Sequence, residues 1–164
     1  MAIRQHFWVP ASVLAFGWLV FSLSRTDPAV AMTAHGTDKK TIATVPLDSG
    51  MEAVFTLDHR SGDLTGYVLD QFNGKFFIQY RYNVSKDFPR SQGKFLMAAG
   101  SANFRQVSEN ERLAIGVIYV SEETSGQVVA YGIPWNSQLH TSAASPRRSQ
   151  LMPLDYATTR FSDG

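Results

Sequence analysis

The sequence predicts an all-β domain: a small antiparallel meander of about seven strands, closed into a sandwich or barrel-like body and preceded by one N-terminal hydrophobic helix. Three observations carry this. Short runs rich in Val, Ile, Phe, Tyr and Thr recur between residues 41 and 135, and these residue types suit a pleated, half-buried surface. Clusters of Gly, Asn, Asp and Ser separate the runs at hairpin spacing. Ahead of them, residues 7–23 (FWVPASVLAFGWLVFSL) carry no charge.

That uncharged run is 17 residues long, the lower limit for a membrane-spanning helix and longer than a usual signal core. It has no polar stripe, so it does not read as an amphipathic core helix. Arg4 and the amino terminus give it a positive leader, and Trp8 and Trp18 suit the two membrane interfaces. Residues 1–31 are therefore expected to be a signal-anchor. The rival reading is a signal peptide cut after Ala31, since Ala29-Val30-Ala31 fits the small-residue cleavage pattern. Arg25 and Asp27 lie between the apolar run and that site, which favours the anchor. Arg25, Lys39 and Lys40 follow the run, so loop charge taken alone favours a domain held inside. The signal-like order of leader, apolar run and small residues favours the opposite side. The expected location is the cell membrane, with the domain extracytoplasmic (periplasmic or extracellular).

Residues 32–40 (MTAHGTDKK) are polar and aperiodic and read as a linker. Strands are expected at 41–47, 52–58, 64–69, 75–84, 94–98, 113–121 and 127–133, the last ended by Pro134. A turn containing Gly62 joins the second and third strands. Asn73-Gly74, a strong hairpin signal, joins the third and fourth. In 75–84, Phe76, Ile78, Tyr80, Tyr82 and Val84 alternate with Phe77, Gln79, Arg81 and Asn83. Period-two alternation sends the first set to the core and leaves Phe77 outside. Residues 54–69 (VFTLDHRSGDLTGYVL) align without gaps on 118–133 (IYVSEETSGQVVAYGI), as two hairpins of one design. Two copies in so short a domain fall short of a closed propeller. Residues 136–164 have few groups to bury and are expected to form a disordered tail, with 151–156 its one sticky patch.

Composition excludes several chemistries. The chain has no cysteine, which removes disulfides, thiolate metal sites, iron–sulfur clusters and a Cys nucleophile. Of the 15 Lys/Arg and 14 Asp/Glu, only Arg4, Arg25 and Asp27 precede Met32, so the domain is near neutral and its net charge argues for no polyanionic partner. No Gly-x-Ser-x-Gly, Walker or dinucleotide fingerprint occurs. No zinc-type His spacing occurs, and Asp70-Gln71-Phe72-Asn73-Gly74 is a poor calcium loop. No catalytic residue, metal ligand or cofactor is therefore assigned. Asp58, His59 and Asp63 are the best remnant of a hydrolytic site, but adjacent strand residues point to opposite faces.

The clearest surface signal is basic. Lys75, Arg81, Lys86, Arg90 and Lys94 share their stretch with a single acid, Asp87, and with exposed Phe77 they form the candidate contact set. Nucleic acid is set aside, because the aromatic order does not fit an RNA-binding strand and export removes the partner. A protein partner or an anionic envelope surface fits better, alongside the membrane bound through residues 7–23. The expected function is a non-enzymatic interaction or accessory subunit of the cell envelope. The alternatives are a soluble exported small-ligand carrier and an unrecognised hydrolase.

Overall fold

The computed structural model describes residues 34–89, 91, 93–104, 112–136 and 146–159. The expected N-terminal helix and Arg90 lie outside the described residues. The described residues form ten strands: β1 (Ala34–Gly36), β2 (Lys40–Pro46), β3 (Glu52–Asp58), β4 (Asp63–Leu69), β5 (Phe76–Asn83), β6 (Phe95–Ser101), β7 (Leu113–Glu122), β8 (Gln127–Pro134), β9 (Arg147–Ser149) and β10 (Met152–Thr158). Two 3-10 turns, Asp48–Gly50 and Val84–Asp87, punctuate them. The strands form a six-stranded sheet in the order β1-β2-β3-β4-β5-β9 and a four-stranded sheet in the order β10-β8-β7-β6. All pairings are antiparallel except β5 with β9. The seven expected strands are all found, within one to three residues at each end.

Alternation builds the core. In β3, Ala53, Phe55 and Leu57 point in while their neighbours are only partly covered or exposed, and Leu64 and Val68 of β4 do the same. The four-stranded sheet answers with Phe95, Met97, Ile118, Val120, Val129, Tyr131 and Ile133. Gly66 is required by this packing: a Cβ there would stand 2.1 Å from the Phe55 ring. Tyr80, buried beside Phe55 with ring centroids 5.7 Å apart, donates its hydroxyl to the Pro134 carbonyl at 2.8 Å and ties one sheet to the other.

One turn design recurs three times. After β3 the sequence is Asp58-His59-Arg60-Ser61-Gly62, after β4 Asp70-Gln71-Phe72-Asn73-Gly74, and after β7 Glu122-Glu123-Thr124-Ser125-Gly126. In each, the glycine N–H donates to the carbonyl of the leading acid, at 3.0, 2.9 and 3.0 Å. The three glycines have φ of 72°, 66° and 66°, a region costly for any residue with a Cβ. The acid side chain accepts turn N–H groups: Asp58 from Arg60 and Ser61, Asp70 from Phe72, and Glu122 from Ser125. The Ser or Asn before glycine accepts the N–H two residues on, from Asp63, Lys75 and Gln127. The resemblance of 54–69 to 118–133 is therefore a shared turn. Their strands pack in opposite phase, since Phe55 and Leu57 are buried whereas the aligned Tyr119 is exposed and Ser121 only partly covered.

The expected linker at 32–40 contains β1 and the first residue of β2, and two further expectations are corrected. Phe77 does not face outward: it is 9% exposed and packs edge-on against Trp135, centroids 6.3 Å apart. Leu69 pairs with Phe76 and Val68 with Ile78, so Phe77 is the extra residue of a β-bulge. The bulge reverses the strand's phase and leaves Phe76 exposed instead. Second, the segment expected to be a disordered tail contains β9 and β10. β9 lies along β5, the chain changes sheets at Gln150-Leu151, and β10 lies along β8. Leu151 is buried there. Pro153 is tolerated because β10 is an edge strand whose register shifts between Pro153 and Asp155.

Candidate functional site

Strand directions give the domain two chemically distinct ends. At one end lie residues 37–39, the turn at 59–62, the crossing from β5 to β6 and the turn at 123–126. At the other lie the turns at 47–51 and 70–75, the start of β7 and Trp135.

The first end is charged. Asp38, Lys39, Asp58, His59, Arg60, Lys94 and Glu123 line an open cleft of about 650 Å³, together with Phe95 and Leu96, the latter 57% exposed. Several polar groups in and beside it serve the fold. Asp58 holds its turn, and the N–H groups of Ser61 and then Arg60 lower its carboxyl below the ordinary Asp value. His59 Nε2 shares a 2.6 Å hydrogen bond with the Thr41 hydroxyl. Asp63 accepts from the Ser61 hydroxyl at 2.8 Å and from Asn83 Nδ2 at 2.8 Å. Lys94 and Glu123 form an exposed ion pair at 3.4 Å, the kind that contributes little to stability. Asp58 and His59 are not joined to each other, so the remnant of a hydrolytic site resolves into turn and strand chemistry.

The structure divides the basic stretch. Arg81 and Lys86 share a shallow hollow of about 520 Å³ on the outer face of β4 and β5, with Asp63, Tyr67 and Gln150. Lys86 Nζ sits 3.6 Å from the centre of the Tyr82 ring. The Tyr82 hydroxyl donates to Asp87 Oδ1 at 3.2 Å, and the Tyr131 hydroxyl to Asp87 Oδ2 at 2.8 Å. Burial first, and the Asp87 carboxylate second, push both hydroxyls above the usual phenol range. Lys94 belongs to the charged cleft. Lys75 stands at the opposite end, separated from Arg81 by about 20 Å of strand. Phe77 is inside, and Arg90 lies outside the described residues. Of the five described candidates, the fold joins Arg81 with Lys86 and sets Lys75, Phe77 and Lys94 apart from them.

The second end is aromatic. Phe72, in the turn after β4, is 79% exposed, and the cross-strand pair Leu69 and Phe76 are each 48% exposed. Phe76 rests on Tyr67, centroids 5.3 Å apart, and the Tyr67 hydroxyl accepts from Gln79 Nε2 at 2.7 Å. Lys75 is exposed beside them. The Asp70, Asn73 and Gly74 hydrogen bonds hold the turn that carries Phe72. Sequence reasoning passed over this cluster because it placed Phe76 in the core. The signal was nonetheless present: Phe72 immediately precedes Asn73-Gly74, at the tip of a tight turn. At the same end Arg112 and Asp48 form an ion pair at 3.6 Å. They border an open hollow of about 450 Å³ with Asn103, Phe104 and Leu113.

Among the described residues, no group of three or more His, Asp or Glu is placed to hold a metal ion. Among the same residues, no helix is long and apolar enough to cross a membrane, and residues 7–23 lie outside them. No family model, no curated protein and no solved structure matches this chain.

Proposed function

We propose that this chain is a membrane-anchored, extracytoplasmic β domain that works by binding, as an accessory subunit of the cell envelope. The observation that carries the reading is the aromatic end: Phe72 stands exposed on a turn locked by its own hydrogen bonds, beside exposed Leu69 and Phe76 on the flanking strands. Exposed aromatic groups on a rigid support are what a binding surface needs, because little conformational freedom remains to be lost on contact. The uncharged run at 7–23 supplies attachment. The alternatives draw less support. Between the sheets, Phe55, Tyr80, Phe88, Phe95 and Tyr131 fill the space a carried ligand would need. The polar groups around His59 are engaged in turns and strand contacts.

Purification of the tagged full-length protein from its own membranes in mild detergent tests this reading. The expected result is a native mass above that of the monomer, with a defined set of co-purifying chains. A lone monomer released without detergent and beginning at Met32 would contradict it and favour a carrier.

A further inference from the structure

We infer that the hollow on the outer face of β4 and β5 binds an acidic saccharide: Arg81 and Lys86 take the carboxylate of a uronate ring, and Tyr67 takes the ring itself. This site is separate from the aromatic end and does not depend on membrane attachment.

Register collects the residues. β4 and β5 pair Thr65 with Arg81 and Tyr67 with Gln79. Their neighbours Leu64, Gly66, Val68, Ile78 and Tyr80 are buried, so Thr65, Tyr67, Gln79 and Arg81 share the opposite, outer face. β9 runs parallel to β5 and pairs Arg148 with Gln79. That sets a third cation on the same face, its backbone about 8 Å from that of Arg81. Lys86 reaches the hollow from the 3-10 turn that follows β5, its ammonium 3.6 Å from the centre of the Tyr82 ring.

Charge is the second ground. Among the described residues, the ion pairs are Lys94–Glu123 and Arg112–Asp48, and Arg81, Lys86 and Arg148 belong to neither. Asp63, the acid that lines the hollow, is engaged: its two oxygens accept from Asn83 Nδ2 and from the Ser61 hydroxyl. Asp87, next to Lys86 in the chain, gives its oxygens to the Tyr82 and Tyr131 hydroxyls and borders a different hollow, with Gln127 and Val129. A concave surface whose cations outnumber its acids attracts an anion, and the planar fork of Arg81 matches a carboxylate.

The lining is the third ground. The Tyr67 and Tyr82 rings, the Thr65 hydroxyl and the Gln150 amide border the hollow, and among the described residues Leu64 is its one aliphatic member. The Tyr67 hydroxyl accepts from Gln79 Nε2 at 2.7 Å, which leaves its own proton to donate. Phe76 packs on Tyr67, centroids 5.3 Å apart, and steadies the ring. Rings edged by hydroxyl and amide groups suit a ligand that is itself a ring covered in hydroxyls. A bare phosphate would use the cations and leave the rings and the amide idle. The volume, about 520 Å³, falls in the range of small-molecule sites.

Fluorescence anisotropy on the full-length protein in non-ionic detergent tests the assignment. The labelled probes are an oligogalacturonate, a neutral malto-oligosaccharide of equal length, and polyglutamate. The expected result is saturable binding of the oligogalacturonate that neither of the other probes matches. Arg81→Gln with Arg148→Gln should weaken it by roughly tenfold or more. Both side chains are exposed, and an unchanged thermal unfolding midpoint verifies the fold. Lys86→Gln should weaken binding in the same direction from a separate element, whereas Lys75→Gln, at the other end of the strand, should leave it intact. Absence of oligogalacturonate binding, or undiminished binding in both the Arg81/Arg148 and the Lys86 variants, would overturn the inference. Equal binding of polyglutamate would replace the saccharide with a general polyanion. Stronger competition by inorganic phosphate than by galacturonate would make this a phosphate site, and either of these last results also contradicts it.

Discussion

At the scale of single residues, the three turn glycines separate two effects usually measured together. Gly74 has φ of 66° and open space where a Cβ would go. Gly74→Ala therefore reports conformational strain alone, about 1–2 kcal/mol. Gly62 has the same conformation, but a Cβ there meets Phe95 at 3.0 Å, Ser85 N at 3.1 Å and Val84 at 3.2 Å. Gly62→Ala should cost more by the added crowding, roughly a further 1 kcal/mol or more. Urea unfolding of the two variants checks the order, and equal losses would contradict it. Buried tyrosines give a pH signature. Burial holds the Tyr80 and Tyr131 hydroxyls above the ordinary value of 10.0, and for Tyr131 the Asp87 carboxylate adds to it. A folded-state pKa raised above the unfolded one means stability that is complete below pH 10 and lost as pH climbs beyond it. The midpoint of thermal unfolding should therefore fall steeply above pH 10, and less steeply in Tyr80→Phe. At this scale the turn glycines Gly62 and Gly74 and the buried Tyr80 were legible in the sequence. Phe77 was not, because one inserted residue reverses a strand's phase and leaves no mark in the alternation before it.

At the scale of elements, legibility followed burial. The seven strands from β2 to β8 bury one face, so alternation and turn residues announce them. β9 and β10 lie at sheet edges, and most of β10 is exposed along its length. Backbone pairing to β8 holds it, and backbone pairing has no residue signature. Leu151 is the exception, buried where the chain passes from one sheet to the other. Leu151→Ala should cost about 2–4 kcal/mol, and an unchanged unfolding midpoint would return this segment to a frayed tail. The recurrent turn makes a second claim testable. Asp70 accepts the Phe72 N–H at 2.7 Å and Asn73 Nδ2 at 2.9 Å, and hydrogen bonds to a charged acceptor are worth about 1.5–3 kcal/mol at most. Asp70→Ala should lose a good part of that and loosen the turn carrying Phe72. Faster amide exchange confined to residues 70–75 would show it.

At the scale of the whole molecule, the domain is asymmetric along its strands, with the Lys94–Glu123 pair and the turn carboxylates Asp58 and Glu122 at one end and exposed Leu69, Phe72 and Phe76 at the other. The sequence offered the basic stretch as the contact surface because its cations are neighbours in the chain. A strand of eight residues carries its two ends some 25 Å apart, so Lys75 and Lys86 serve different ends. The candidate site was thus legible as a set of residue types near the β4–β5 hairpin, and illegible as a place until the bulge and the strand directions were known. The division of the two ends has a mutational consequence: Phe72→Ser with Phe76→Ser should remove co-purifying chains, whereas Arg81→Glu with Lys86→Glu should leave them in place. Native mass and the chains that co-purify with each variant distinguish them. The central claim is membrane attachment, and its most direct test is the distribution of the untagged full-length chain after alkaline carbonate extraction of native membranes. The account predicts an intact chain retained in the membrane pellet and released only by detergent. Recovery in the supernatant, shortened to a start at Met32, would contradict it.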